Sequence, residues 1–329
     1  MKQWIILVWI PIALMAGART NDELNALSHG ADVCMALKVV DDNGTIVSNA
    51  TVMGNFHMHD DQGNPFAGST DTNGIYTASG KCVGDWHYVV EKKGHYETVV
   101  NVRYFSPTNT SVKDGRWQPY GMTNTVVLKQ RINPVAMHVW RGTSPVSLPK
   151  QNEWIGFDLE SADWTSPHGT GKHEDFQVFF NLDAKDKQWS FFKYTLTLRF
   201  PKPFDGFYRM KKDEDGSAFK CVYRADTNHL YDSEITFTSE RWHDVAKNKA
   251  VSAKQPLEAD DYLVLRVRSE TDKEGRLVKA NYAKLCAPFF AARYGFLIAS
   301  YFNPNENDTN LEADTSKNLL NPRELSFEP

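Results

Sequence analysis

The sequence has 329 residues, of which 24% are charged, 41% hydrophobic and 12% aromatic, with Lys plus Arg 37 against Asp plus Glu 41. That length suits roughly two domains of about 150 residues each. The composition excludes a disordered, collagen-like or coiled-coil chain. A net charge of −4 with no basic block excludes a nucleic-acid binder that works through a basic face.

Met1 to Ala18 reads as a secretory leader. Lys2 precedes an apolar run from Trp4 to Ala16, and Ala16-Gly17-Ala18 offers the small residues a signal peptidase accepts. The run is short of the roughly 20 residues that cross a bilayer. The expectation is an exported protein, periplasmic or secreted, with no stable membrane span after cleavage. The other long apolar stretch, Cys286 to Phe302, contains Pro288 and Arg293 and reads as a buried strand pair.

From Asp32 to Lys129 the chain reads as short strands joined by turn dipeptides. Residues 33–40 alternate, and Asp41-Asp42-Asn43-Gly44 makes a tight turn into Thr45-Ile46-Val47. A strand follows from Ala50 to Phe56, then the turn Asp71-Thr72-Asn73-Gly74 and a strand from Ile75. Cys82 to Val90, Thr98 to Tyr104 and Thr123 to Leu128 complete the series. Such spacing without a helical period predicts an all-β sandwich. Ser106 to Gly121 reads as a polar loop, and a fresh segment starts near Arg131. The region 131–329 is again β-rich: Lys193 to Phe200, Ile235 to Thr238 and Tyr262 to Val267 are strand-like. Asp213 to Gly216 and Asp272 to Gly275 read as hairpin turns, and Trp242 to Ala250 is the single helical suggestion. The polar tail from Asn303 is expected to be loosely ordered at its end.

Three sets of residues carry a family resemblance. They are Asp41-x-x-Gly44 with Val47-x-x-Ala50-x-Val52, Thr70-Asp71-x-x-Gly74-x-Tyr76, and Gly84-x-Trp86-x-Tyr88-x-Val90 with Gly94-His95-Tyr96. This stretch, about residues 32–130, resembles the carboxypeptidase regulatory-like domains, which are similar to transthyretin in fold. The resemblance implies a seven-stranded sandwich, no catalytic residues of its own and a companion domain. In the second region, 154–159, Asp163-Trp164 with Pro167-His168-Gly169, and 303–308 resemble an uncharacterised group of bacterial exported proteins; this supplies no site residues.

An even cysteine count in an oxidising compartment suggests disulfides. Pairing within each domain gives Cys34–Cys82 and Cys221–Cys286, worth roughly 4 kcal/mol each on the chain-entropy model. Other connectivities, or four buried free thiols, remain open. No CxxC zinc or redox motif, serine-nucleophile pattern or nucleotide-binding glycine loop occurs, so no cofactor is implied.

The stretch most suggestive of chemistry is Glu153 to Asp186. Two of its carboxylates at glycosidase spacing could hydrolyse glycans, and Asp158, Asp163, His168, His173 and Asp175 are the candidate catalytic set. The same histidines with Asp163 or Asp175 could instead hold a divalent metal, and the plain alternative is an acidic, Gly-rich surface loop. His57 and His59 would share one face of a strand by period 2, a weak candidate for a metal site that needs a third ligand. Trp117, Trp154 and Trp164, beside polar residues, are the candidate ligand face, since aromatic rings stack on sugars. Two functions follow. The first is a non-enzymatic binding or structural protein of the bacterial envelope, with a glycan or another envelope protein as partner. The second is a secreted hydrolase of glycans or peptides using the 153–186 loop.

Overall fold

The computed structural model describes residues 20–60, 63–103, 112–142, 146–184, 191–244, 249–252, 257–258, 260–292 and 295–329. The expected leader, together with Asp186 and Trp189, lies outside the described residues. The chain divides into two compact units at Gln130/Arg131, and both are almost entirely β.

The first unit opens with α1 (Asn21–His29), which the hydrophobic pattern did not announce. A capping box sets it: Thr20 accepts from the Glu23 amide, and the Glu23 side chain accepts from the Thr20 amide. Nine strands follow: β1 (Ala31–Asp41), β2 (Thr51–Phe56), β3 (Asn64–Ser69), β4 (Ile75–Cys82), β5 (Asp85–Glu91), β6 (Thr98–Arg103), β7 (Val112–Lys113), β8 (Arg116–Trp117) and β9 (Met122–Leu128). Seven have six residues or more; β7 and β8 form a short hairpin within the stretch expected to be a polar loop. One sheet runs β4-β1-β8-β7 with β9 also paired to β1, and the other runs β3-β2-β5-β6. The inward residues of both, including Met35, Leu37, Val52, Phe56, Trp86, Val90 and Leu128, make one core. The unit is thus a β-sandwich, as the spacing of turns predicts.

The turns work through their aspartates. Asp41 Oδ1 accepts from the amides of Asn43 and Thr45, and Asp71 Oδ1 from those of Asn73 and Ile75. Asp272 repeats this with Glu274 and Arg276. The fourth residue of each is a glycine with φ between 72° and 79°, the left-handed region that strains any residue with a Cβ; at Gly74 a Cβ would also meet the Val39 carbonyl. Gly54 serves differently. On β2 it lies beneath the Phe66 ring and beside the His87 carbonyl, and a Cβ there would overlap both. Gly54→Ala should therefore cost about 1–3 kcal/mol in urea unfolding; an unchanged midpoint would show that Phe66 yields freely.

The second unit has β10 (Val135–Trp140), β11 (Trp154–Asp158), β12 (Asp163–Trp164), β13 (Phe176–Ala184), β14 (Phe191–Arg199), β15 (Gly206–Lys211), β16 (Glu234–Asp244), β17 (Lys249–Ser252), β18 (Asp261–Thr271), β19 (Leu277–Ala292), β20 (Gly295–Asn303) and β21 (Ala313–Asn318). One sheet runs β15-β18-β19-β20-β10-β21 and the other β12-β11-β13-β14-β16-β17. Phe157, Phe176, Leu198 and Phe237 from the second meet Leu263, Leu265, Leu285 and Phe302 from the first. The unit is a second sandwich. Cys286 to Phe302 falls on the antiparallel pair β19–β20, and no helix among the described residues is long and apolar enough to cross a membrane. The described residues of the Trp242 to Ala250 stretch, 242–244 and 249–250, are strand and not helix: β16 pairs with β14 on one side and with β17 on the other. Pairing overrode a weak local preference.

The outer face of the first sheet is also covered. Tyr262, Val264, Tyr282, Lys284 and Tyr301 alternate with the core residues yet are buried. A strap of residues 212–233 crosses them: the Val222 amide donates to Tyr262 Oη and the Asp226 amide to Tyr208 Oη, both at 2.9 Å. The turn at Asp213 to Gly216 opens this strap and does not join two strands. The Asn-rich tail is ordered as well. Buried Asn318 accepts from the Val139 amide and donates to its carbonyl, imitating a strand partner, and Glu312 receives the amides of Ile132 and Asn133. Polar side chains here take the place of ladder bonds.

All four cysteines are free thiols. The Cys34–Cys82 bond is corrected by register: Cys82 lies opposite Ala31 on β1, and Cys34 opposite Ser79. Three residues of offset put the two side chains on opposite faces, Cys82 in the core and Cys34 half-buried. Cys221 and Cys286 are likewise unbonded, each a buried free thiol, which corrects that pairing as well.

Candidate functional site

The two aspartates that flank the 159–174 loop do converge. Asp158 ends β11 and Asp175 immediately precedes β13, and the antiparallel pairing of those strands brings the two ends together. Asp158 Oδ1 accepts from the Glu160 amide at 2.9 Å, and Oδ2 from the amides of Lys172 (2.8 Å) and His173 (3.2 Å). Asp175 Oδ2 accepts from the Leu159 amide at 2.8 Å. Both aspartates are buried, 2% and 0% exposed.

The group that balances them is Arg268, from the opposite sheet, which sequence reasoning missed. Its Nε meets Asp175 Oδ1 at 2.7 Å, its Nη2 meets Asp175 Oδ2 and Asp158 Oδ1 at 3.1 Å each, and its Nη1 meets Glu160 at 2.8 Å. Strand alternation would send Arg268 outward with Arg266. A β-bulge between Val267 and Glu270, with Arg268 at φ 56°, turns it inward instead, over the ring of Phe302 at 4.4 Å. The signal available in the sequence was two arginines inside an apolar strand, 266 and 268, which call for a buried partner.

This arrangement decides what the aspartates can do. All four lone-pair positions of Asp158 face donors, and three of those of Asp175 do. Burial holds the Asp175 carboxyl above its usual range, with Arg268 pulling against it. A carboxylate engaged this fully is a brace between sheets rather than an exchanging acid or base.

The other members of the loop go elsewhere. Asp163 accepts from its neighbour Trp164 and from the amide and hydroxyl of Thr170, and these bonds hold its carboxyl below the usual range against some desolvation. It shapes the loop. His168 sits in a turn closed by its amide on the Thr165 carbonyl. His173 alone reaches a cavity of about 310 Å³ beside Arg268, lined also by Lys202, Ser269, Lys279 and Glu306. Lys279 is paired with Glu270 (3.1 Å) and Glu306 (2.8 Å) at this cavity. Among the described residues no cluster of three or more His, Cys, Asp or Glu could hold a metal.

His138, also missed, packs near this cluster, its ring centroid 6.1 Å from that of Phe302, with Nδ1 buried and unpartnered among the described residues. Burial pulls its imidazole below the ordinary value, partly offset by Glu160 and Asp158. A histidine depressed in the folded state takes its proton more readily when unfolded, so stability is lost as pH falls through about 6.5. The urea midpoint should drop between pH 7.5 and 5.5 more steeply for the native protein than for His138→Phe; parallel profiles would remove the linkage.

The three tryptophans separate. Trp117 is 1% exposed with Nε1 donating to the Cys82 carbonyl at 2.9 Å, and Trp164 is 2% exposed with Nε1 on the Ser147 carbonyl at 2.6 Å. Both are core residues, correcting their placement on a ligand face; each indole N–H found a buried acceptor. Trp154 is 37% exposed, with the Arg199 guanidinium over its ring at 3.8 Å and Arg199 anchored to Gln177. His57 and His59 do not share a site either. β2 stops at Phe56, so His57 Nε2 meets His87 Nδ1 at 2.9 Å while His59 bonds the Leu27 carbonyl at 2.6 Å.

No family model matches the chain, and no curated protein does. Among solved structures it is similar to the catechol 1,2-dioxygenase of Acinetobacter radioresistens (14% identity, TM-score 0.25, 33% of this chain and 55% of that one). It is also similar to the 3-chlorocatechol 1,2-dioxygenase of Rhodococcus opacus 1CP (10%, TM-score 0.25, 31% and 61%). A third is the chlorocatechol 1,2-dioxygenase of Pseudomonas putida (13%, TM-score 0.26, 37% and 69%). The chain thus spans between half and about two thirds of those structures. At these scores the likeness assigns neither family nor activity.

Proposed function

We propose that the protein is an exported, non-enzymatic binding module of the bacterial envelope. In this reading a regulatory-like sandwich carries a second sandwich that binds a glycan in the cavity beside Arg268. The observation that carries it is the saturation of Asp158 and Asp175. Hydrolysis of a glycan needs one carboxyl free to give a proton and another free to take one or to attack, and these two are spent on Arg268 and backbone amides. The cavity itself offers Lys202, Ser269, Lys279, His173 and Glu306, a mixture of donors and acceptors suited to hydroxyl groups. Export is supported by the leader-like pattern over Met1 to Ala18.

Titration calorimetry against a panel of neutral and acidic soluble oligosaccharides tests this. Saturable binding is expected without release of reducing ends. Replacing Lys202 by Ala should weaken it about 5–30-fold, the loss of one or two hydrogen bonds. Release of reducing ends would establish the hydrolase reading instead, and an absence of binding across the panel would remove the glycan.

A further inference from the structure

The cavity beside Arg268 lies where the inner face of β19 runs past the core. Ala283 and Leu285 are core residues, and by period 2 Asn281 and Lys279 continue the same face into the cavity wall. Asn281 stands opposite Val267 on β18, and after the bulge Lys279 stands opposite Glu270. Pro304 and Glu306, from the segment after β20, add to the wall.

What this wall leaves unused is mainly hydrogen-bond acceptors. Asn281 is 3% exposed, and its Nδ2 donates to the Asn303 carbonyl at 3.2 Å, while no hydrogen bond among the described residues reaches its Oδ1. A buried amide oxygen on a cavity wall calls for a donor from what fills the cavity. Glu270 and Glu306 each give Oε1 to the Lys279 ammonium, at 3.1 and 2.8 Å, and Oε2 of each makes no bond among the described residues. Ser269 Oγ is buried without a partner too, and a hydroxyl can accept as well as donate. The charges lean the same way. Arg268 meets Asp158, Glu160 and Asp175, and Lys279 meets Glu270 and Glu306, so five carboxylates answer two cations. Lys202 adds one positive charge at the cavity, and the balance stays negative.

We propose that the cavity takes a sugar carrying a free amino group, whose ammonium lies among Glu270, Glu306 and Asn281. The assignment rests on the glycan reading above and narrows it to one class of monosaccharide. A primary ammonium brings three donors and one positive charge. Two donors match the open oxygens of the glutamates, and the third matches Asn281 Oδ1. Lys279 already gathers the two carboxylates around one ammonium, so the ligand meets them in place. An N-acetylated sugar brings a single N–H and no charge, and a uronic acid would add a carboxylate where carboxylates are in surplus. Lys202 and Ser269 are left for the ring hydroxyls. At about 310 Å³ the cavity is small for a ligand site and suits one ring, with the rest of a chain outside it.

Calorimetry on the folded full chain compares a short β-1,4 oligomer of glucosamine with the same oligomer fully N-acetylated, at a pH where the amines are protonated. The amino form should bind about tenfold tighter, the worth of a charge-assisted set of hydrogen bonds, and the gain should shrink as salt rises. Glu270→Gln and Glu306→Gln should each cut the ratio of the two affinities about 2–5-fold. Both side chains are more than half exposed, so the variants keep the fold. Equal affinity for the two oligomers overturns the amino-sugar assignment and leaves the glycan reading standing. Binding of neither overturns the glycan reading, and the assignment with it. A tenfold ratio that survives both substitutions also overturns the assignment, since the attraction would then come from the net charge of −4 and not from this wall.

Discussion

Replacing Arg268 by Ala is expected to lower the stability of the second unit by about 3–5 kcal/mol, the cost of removing one partner from a buried ion cluster. Asp158 and Asp175 would stay buried with their charges uncompensated, and Asp175 would lose two of its three donors. Glu160 would lose less, since it is 42% exposed at its side chain and water replaces the guanidinium. Urea unfolding of the full chain measures the loss. Coupling is the sharper readout. Asp175→Asn in the Arg268→Ala background should cost far less than Asp175→Asn alone, because the charge it removes no longer has a partner. Additive effects would mean that Arg268 braces the sheets through packing on Phe302 alone.

Trp117→Ala should be the most damaging single change in the first unit, about 3–5 kcal/mol. The indole is 1% exposed inside the sandwich core, and its removal also strips the Cys82 carbonyl of a donor. The same change should leave oligosaccharide affinity of the remaining folded protein untouched. A loss of affinity at unchanged stability would return Trp117 to a ligand face. Trp154→Ala should behave in the opposite sense: its ring is partly exposed under Arg199, so the stability cost stays small.

Most of the strands were legible because period-2 alternation and Asp-x-x-Gly turns are local signals, and the turns work by local hydrogen bonds from Asp41, Asp71 and Asp272. Helix α1 was missed although Thr20 and Glu23 spell its capping box; its polar nine residues carry too little apolar periodicity. The site was half legible. Asp158 and Asp175 stand 17 positions apart and meet through one strand pairing, so proximity in sequence pointed to them. Arg268 lies 93 residues beyond Asp175, and the bulge that reverses its side chain leaves no trace in a pattern of alternation. The fate of Trp117, Trp164 and Cys34 was invisible for a related reason. Which face a residue takes depends on register, and register is a property of two strands.

The position of β10 has a consequence for how the chain reaches this state. It begins the second unit and lies between β20 and β21, pairing at His138–Trp140 with Phe302–Ser300 and near Val135 and Met137 with Ala313 and Asn318. The first strand of that unit thus waits for partners emerging some 160–180 residues later, and contacts so distant along the chain form slowly. During synthesis the apolar edge of β10 stands open until Asn318 has left the ribosome. A ribosome stalled before that point should hold a protease-sensitive second unit beside an already resistant first one.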